Sequence, residues 1–352
     1  MKLLKMIKNL FLVAEKGKLM KKSILFFHLL CLLIKPCFSS AEDLYSDYQS
    51  VLDEEILQKI PLLESREILS ITPLRGIINN NYKVKVNNPD SYYVVKLTNK
   101  DQDFFTNRFV EKRNQNNVSQ NLKIAPSVEY VSEDQRIMVL EYIDPSKESI
   151  IDSENILLYA KSIAYLHKSF IKFENENSFL KQLNNLREKL LELGIYNDND
   201  DDYFLRKLTE LEKVIDIDKI EFSPCHNDLN LENFIFTSND LKIIDWEFSG
   251  QNDPAWDVSY FLMSSRLRED LWSVFFENYF FIYTPDKNFI DRVMIYRPFV
   301  LLSLGMRLQF RLNEKKLKKD SMQLLIRECF LGAKSLFEST SYKNSIKNIN
   351  IN

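Results

Sequence analysis

Three side chains in one short window have the types and spacing to do chemistry: Asp228, Asn233 five residues later, and Asp245 twelve beyond that. They lie in Cys225-His226-Asn227-Asp228-Leu229-Asn230-Leu231-Glu232-Asn233 and in Leu241-Lys242-Ile243-Ile244-Asp245-Trp246-Glu247, between short apolar runs. A carboxylate can orient and receive the proton of an attacking hydroxyl, while an amide oxygen and a second carboxylate hold Mg²⁺ on nucleotide phosphates. Together they specify phosphoryl transfer. Turn and cap residues around a hairpin use the same residue types, but three spaced matches in so short a window favour the chemistry.

Such a site needs elements to position it. From about Glu67 to Ile143 the pattern is strand-rich: Tyr82 to Val86 alternates, Tyr92 to Leu97 is aromatic and β-branched, and Arg136 to Ile143 is a third run. A polar helical segment, Asp103 to Asn121, sits between the second and third runs and closes before Pro126. From Ser153 the spacing turns helical, with Leu157, Leu158, Ala160, Ile163, Ala164 and Leu166 at intervals of three and four; Ser178–Leu193 and Tyr203–Ile215 predict two more helices. Phe234-Ile235-Phe236 and Leu241 to Ile244 read as short strands around a turn at Ser238-Asn239-Asp240, and the chain beyond is helical and aromatic-rich. The fold class is therefore α+β, with a small β-rich lobe over 41–143, a larger helical lobe over 144–340 and a flexible tail over 341–352. The acidic run Asn197 to Asp202 lacks the Gly and Glu of a calcium loop, with Tyr203 and Thr209 in their places, and reads as a solvated helix connection.

Composition sets outer bounds. The chain has 352 residues, room for two lobes with a substantial core. Its net charge of −3 gives no electrostatic reason for a nucleic-acid partner. Met20-Lys21-Lys22, the apolar run Ile24 to Ile34 and Ser39-Ser40-Ala41 have the order of a secretion signal, so 1–40 reads as a signal-like or anchoring segment. The run is short for a membrane span, and contact with a membrane would come through this segment alone, if it stays uncleaved. Leu29 and Leu30 before Cys31 argue against lipidation. Cleavage near Ala41 would leave only Cys225 and Cys329, which is no disulfide framework. The leader thus points to export while the body points to a reducing compartment, where ATP is also found; export into another cell's cytosol would satisfy both.

His226-Asn227-Asp228 with Asn233, then Ile244-Asp245-Trp246-Glu247-Phe248, resembles the choline and ethanolamine kinases and, more distantly, the aminoglycoside phosphotransferases, whose loop more often reads H-G-D. Asn252-Asp253-Pro254-Ala255-Trp256-Asp257 is similar to the N-D-P-x-W-D segment of bacterial LicA-type choline kinases. The resemblance runs from about Leu69 to Arg311 and implies a two-lobed protein-kinase-like fold using ATP and Mg²⁺ on a small-molecule alcohol. It makes Asp228 the catalytic base and His226 a brace of its loop. Asn233 and Asp245 become metal ligands, with Glu247 assisting at metal or substrate, and Asp257 a support of the loop. Lys96 in Tyr92-Tyr93-Val94-Val95-Lys96 resembles the lysine that pairs with phosphates, Glu111 the helix residue that holds it, and Glu141 and Ile143 bracket the hinge for adenine. Gly76 and Asn79 belong to the phosphate loop, which departs from the family's G-G-x-T-N-x-x-Y in having Arg75 and Ile78.

For the acceptor, a quaternary ammonium asks for aromatic faces and a carboxylate. Trp246, Phe248, Trp256 and Asp257 are the substrate candidates beside the loop, although each aromatic here also fits a helical core. A late-helix Trp pair typical of choline kinases is missing; Leu302 to Phe310 offers Arg307 instead, with Arg311 one turn on. The expected activity is an ATP-dependent kinase of an amino alcohol such as choline or ethanolamine. An aminoglycoside-type enzyme and a catalytically weak pseudokinase binding module are the alternatives. His167 in Tyr165-Leu166-His167-Lys168 reads as a structural helix residue.

Overall fold

The computed structural model describes residues 52–74, 80–87, 90–98, 107–147, 149–195, 198–238, 240–265, 267–314 and 319–351. The signal-like segment 1–40 and the phosphate-loop residues Gly76 and Asn79 lie outside them. Among the described residues, no helix is long and apolar enough to cross a membrane.

Alternation builds the small lobe. Strands β1 (Ile68–Leu74), β2 (Asn80–Val86), β3 (Ser91–Leu97), β4 (Val128–Val131) and β5 (Ile137–Glu141) form one antiparallel sheet in the order β1-β2-β3-β5-β4. Along β2, Tyr82, Val84 and Val86 are buried on one face, where they join Val95, Val139 and the short helix α1 (Glu54–Gln58) with Leu52, Leu57, Ile60 and Leu63. Successive side chains point to opposite faces, so Lys96 looks the other way, opposite Asn81 and Met138.

Helix α2 (Arg108–Asn121) is capped by Asn107, which accepts from the N–H groups of Phe109 and Val110 at 3.1 and 3.2 Å; the expected start over 103–106 lies outside the described residues. Arg108, Glu111, Asn114 and Gln115 are buried beside Val118. A helix that hides its polar face must find partners for it there, and this one finds them in the cleft between the lobes.

The large lobe holds α3 (Asn155–Lys168), α4 (Phe179–Glu192), α5 (Asp198–Val214), α6 (Pro254–Ser264), α7 (Glu269–Ile282), α8 (Phe289–Glu314), α9 (Lys319–Phe337) and α10 (Thr340–Ile351). Its short strand pairs are β6 (Ser223–Cys225) with β9 (Gly250–Asn252), and β7 (Phe234–Phe236) with β8 (Leu241–Ile243). Helix α4 matches its predicted span, with Ser178 as the side-chain cap. Asp198 already lies in α5, so most of the acidic run opens a helix instead of linking two, in keeping with the preference of Asp for helix starts. The C-terminus is corrected too. Residues expected as a flexible tail form α10, pinned by buried Tyr342 edge-on to Phe337 at 5.3 Å. The core is aromatic: Tyr159 meets Phe234, Phe236 and Phe261, and Phe275 stacks on Phe261 and Tyr279.

Candidate active site

The loop between β6 and β7 carries Asp228, and one buried carboxylate fixes its shape. Asp257, on the first turn of α6, accepts from the backbone N–H of His226 at 2.7 Å and of Asn227 at 2.6 Å. His167 on α3 approaches the same carboxylate at 3.2 Å and the Tyr279 hydroxyl at 2.6 Å. His167 is thus the structural residue its sequence suggests, yet it stands directly behind the catalytic loop. Nothing in the 59 residues between Lys168 and Asp228 signals that proximity; only the fold creates it. The His226 ring contacts the Ile244 carbonyl at 2.9 Å and packs edge-on against Trp246, which ties the loop to the segment after β8 that carries the second aspartate.

Asn227 adopts a left-handed backbone (φ 66°), a region Asn tolerates better than most residues. Its amide donates to the Phe248 carbonyl at 2.9 Å and accepts from Asn252 at 2.8 Å. Asp228 is buried, and its carboxylate accepts from Asn230 at 3.1 Å and from the Tyr260 hydroxyl. Burial first, then the charge of Asp228, pushes that hydroxyl well above its ordinary pKa. The Asn233 amide donates to the Asp228 carbonyl at 2.8 Å, which turns its oxygen the other way, and the Asn233 carbonyl accepts from Ile244 N–H at 2.9 Å. That backbone bond sets Asn233 beside the residue preceding Asp245.

Across the cleft, Lys96 reaches all three nearby acids. Its Nζ stands 2.9 Å from Glu111, 2.7 Å from Asp245 and 3.7 Å from Glu247. Arg108, one helical turn before Glu111 on α2, pairs with Glu111 at 2.5 Å and with Glu247 at 3.1 Å. Burial works against the Lys96 ammonium, but Asp245, Glu111 and Glu247 outweigh it and hold its pKa above the ordinary range. Burial pushes the Asp245 carboxyl up to about 6, against the pull of Lys96 and with the push of Glu247 and Glu111. Asp245 is itself left-handed (φ 65°) with its side chain 29% exposed. Glu247 therefore belongs to the ion-pair cluster with Arg108, a partner that its motif position does not reveal.

The segment after Asp245 is strapped down. Asn114 on α2 bonds Ser249, Asn175 donates to the Ser249 carbonyl at 2.9 Å, and Asn177 donates to the Phe248 carbonyl at 2.7 Å. Gly250 permits this approach, since a Cβ there would meet the Asn177 Cβ at 2.5 Å.

The substrate candidates divide. Trp246 is fully buried, donating to the Ile243 carbonyl at 2.8 Å. Trp256 stacks on Phe179 at 4.6 Å inside the core, and Asp257 is spent on the loop backbone. These three are core and scaffold, not an acceptor cage, because indole rings this large fill the space beneath the loop. Phe248 differs: the Arg307 guanidinium lies over its ring at 4.1 Å. Arg307 also donates to Asp228 at 3.3 Å and to Gln182 at 3.1 Å. At the hinge, Glu141 ends β5 and Ile143 follows it, buried; the Glu141 carboxylate accepts from Ser127 N–H at 3.1 Å.

A two-lobed fold with Lys96, Glu111, Asp228, Asn233 and Asp245 about one cleft is the framework of a kinase-like phosphotransferase. The chain matches the sequence profile of choline/ethanolamine kinases over residues 71–289 and belongs to that family. It is 30% identical over 148 residues to a LicA homologue of Metamycoplasma hominis, an alignment covering 42% of this chain and 57% of that relative's length. The choline kinase LicA from Streptococcus pneumoniae superposes with a TM-score of 0.68 at 24% identity, covering 80% of this chain and 99% of that one. A LicA structure in complex with AMP gives 0.65 at 23% identity, covering 82% and 99%.

Proposed function

We propose that the chain is an ATP- and Mg²⁺-dependent small-molecule kinase, phosphorylating the hydroxyl of an amino alcohol such as choline or ethanolamine. The observation that carries this reading is Lys96 bonded at once to Glu111 and to Asp245, residues from both lobes and 149 positions apart in the second pair. The site's donors suit Mg²⁺: Asn233 and Asp245 offer the hard oxygen ligands it prefers, and the carboxylates Glu111, Asp245 and Glu247 outnumber Lys96 and Arg108 by one. Asn233 and Asp245 would hold the ion, which when bound neutralises phosphate charge. Lys96 would bind the nucleotide phosphates, with Glu111 keeping its ammonium in place. Glu141 and Ile143 would present backbone groups to adenine; a structure of similar fold holds AMP. Asp228 would orient the acceptor hydroxyl and take its proton, with its loop held rigid by Asp257.

The test is ATP turnover by the full chain with choline, ethanolamine and aminoglycosides. Turnover with an amino alcohol, reduced about 10²–10⁴-fold in Asp228→Ala, is the expected result. No turnover together with no Mg·ATP binding would instead make the chain a binding module.

A further inference from the structure

Phosphoryl transfer gathers negative charge between donor and acceptor, and fixed cations aimed at that charge supply much of the catalysis. The catalytic loop offers none, since Asp228-Leu229-Asn230-Leu231-Glu232-Asn233 contains no lysine or arginine. Lys96 is engaged on the nucleotide side with Glu111 and Asp245. The cation that reaches the base comes from α8. Arg307 is held at three points: Asp228 at 3.3 Å, Gln182 of α4 at 3.1 Å, and the Phe248 ring at 4.1 Å. Only 12% of its side chain is exposed, so the guanidinium is positioned and largely dry. Arg311, one turn further along α8, lies in the fields of Glu247, Arg307, Asp228 and Asp245. Arg307 thus stands at the base itself, with Arg311 one turn further along α8.

We propose that Arg307, backed by Arg311, is the cation that stabilises the transferring phosphoryl group, supplied by a late helix in place of a loop residue. The assignment rests on the kinase reading above. In the step, the acceptor oxygen bonds to the γ-phosphorus as the bond from phosphorus to the β–γ bridging oxygen breaks. The electron pair leaves on the nucleoside diphosphate and the hydroxyl proton passes to Asp228. A phosphoryl group in line with Asp228 then comes within reach of the guanidinium, whose planar fork suits its oxygens better than an ammonium would.

The experiment is a binding measurement on the full chain: Mg·ADP titrated with and without aluminium fluoride, a mimic of the group in flight. Arg307→Gln should bind Mg·ADP within about twofold of wild type yet lose about 10³-fold in affinity for the aluminium fluoride complex, the lower end of what such an arginine contributes. Arg307→Lys should lose less, because it keeps the charge. It is also the variant to measure if Arg307→Gln does not fold. Turnover with any accepted alcohol should fall in kcat with little change in acceptor KM. Unchanged aluminium fluoride binding in Arg307→Gln, equal losses in both variants, or an effect confined to acceptor KM would overturn the assignment. Wild-type chain that binds no Mg·ADP would instead overturn the kinase reading itself, and the assignment with it.

Discussion

The catalytic loop and the nucleotide clamp are both built around buried charge, but they are held in opposite ways. The loop is organised by a single carboxylate, Asp257, whose partners are backbone N–H groups and His167, all within the large lobe. The clamp is a cluster of five charged groups, Lys96, Arg108, Glu111, Asp245 and Glu247, drawn from both lobes. Backbone donors have nowhere else to go, so the loop keeps its geometry whatever binds. An ion-pair cluster is different, because on the proposed kinase reading phosphates and a divalent cation would compete directly for its members. One region is a fixed template; the other is made to exchange partners.

The sharpest way to break this contrast is Lys96→Met. Removing one partner of a buried ion pair strands the others, so unfolding free energy should drop by about 3–5 kcal/mol. Mg²⁺ should recover part of the loss by replacing the missing charge, seen as a larger Mg²⁺-induced rise in Tm than in wild type. A variant indifferent to Mg²⁺ would show that the clamp does not exchange partners. A smaller effect is expected from Asp257→Asn, which keeps the shape but weakens charge-assisted bonds; roughly 2 kcal/mol should be lost. Here Mg²⁺ should restore nothing, and kcat should fall while nucleotide affinity holds. Loss of nucleotide affinity would mean that the two regions are coupled.

The smallest effect concerns the thiols beneath the loop and α8. Burial, reinforced by Asp257 and Asp253, raises Cys225 well above the ordinary thiol range, and burial with Glu328 pushes Cys329 up to about 12. Both are thus protonated in the folded chain at a pH where the unfolded thiols ionise. Their contribution to stability is complete below about pH 9 and is lost as pH climbs towards 12. Urea midpoints should fall over that window, and a thiol reagent at pH 8 should label neither cysteine until the chain unfolds. Fast labelling of Cys225 in the native protein, read by peptide mapping, would show that the template beneath the loop opens.

Much of the site was legible because its chemistry is local in sequence. Asp228, Asn233 and Asp245 stand in one motif, and the strand pattern around Lys96 and the helix around Glu111 point to where the clamp must be. What the sequence hid is contact made by the tertiary fold. Trp246 and Trp256 look like a cage because they flank the motif, but burial in the core claims large indoles first. His167 and Arg307 join the loop from helices 61 and 79 positions away, and neither distance leaves a periodic trace. The C-terminal helix escaped because its composition, rich in Asn and Lys, is that of a frayed end. Packing of Tyr342 on Phe337 decides the matter.

The left-handed turn at residue 227 changes how one letter of the motif should be understood. Glycine and asparagine are alternative answers to the same backbone demand there, so Asn227→Gly would keep the path of the chain. What would vanish is a tether: two bonds from this one side chain that join the loop to the carbonyl of Phe248 and the amide of Asn252. An H-N-D or H-G-D spelling therefore records whether the loop is moored by a side chain or left to its neighbours. It is a statement about anchorage, not about which acceptor the site takes.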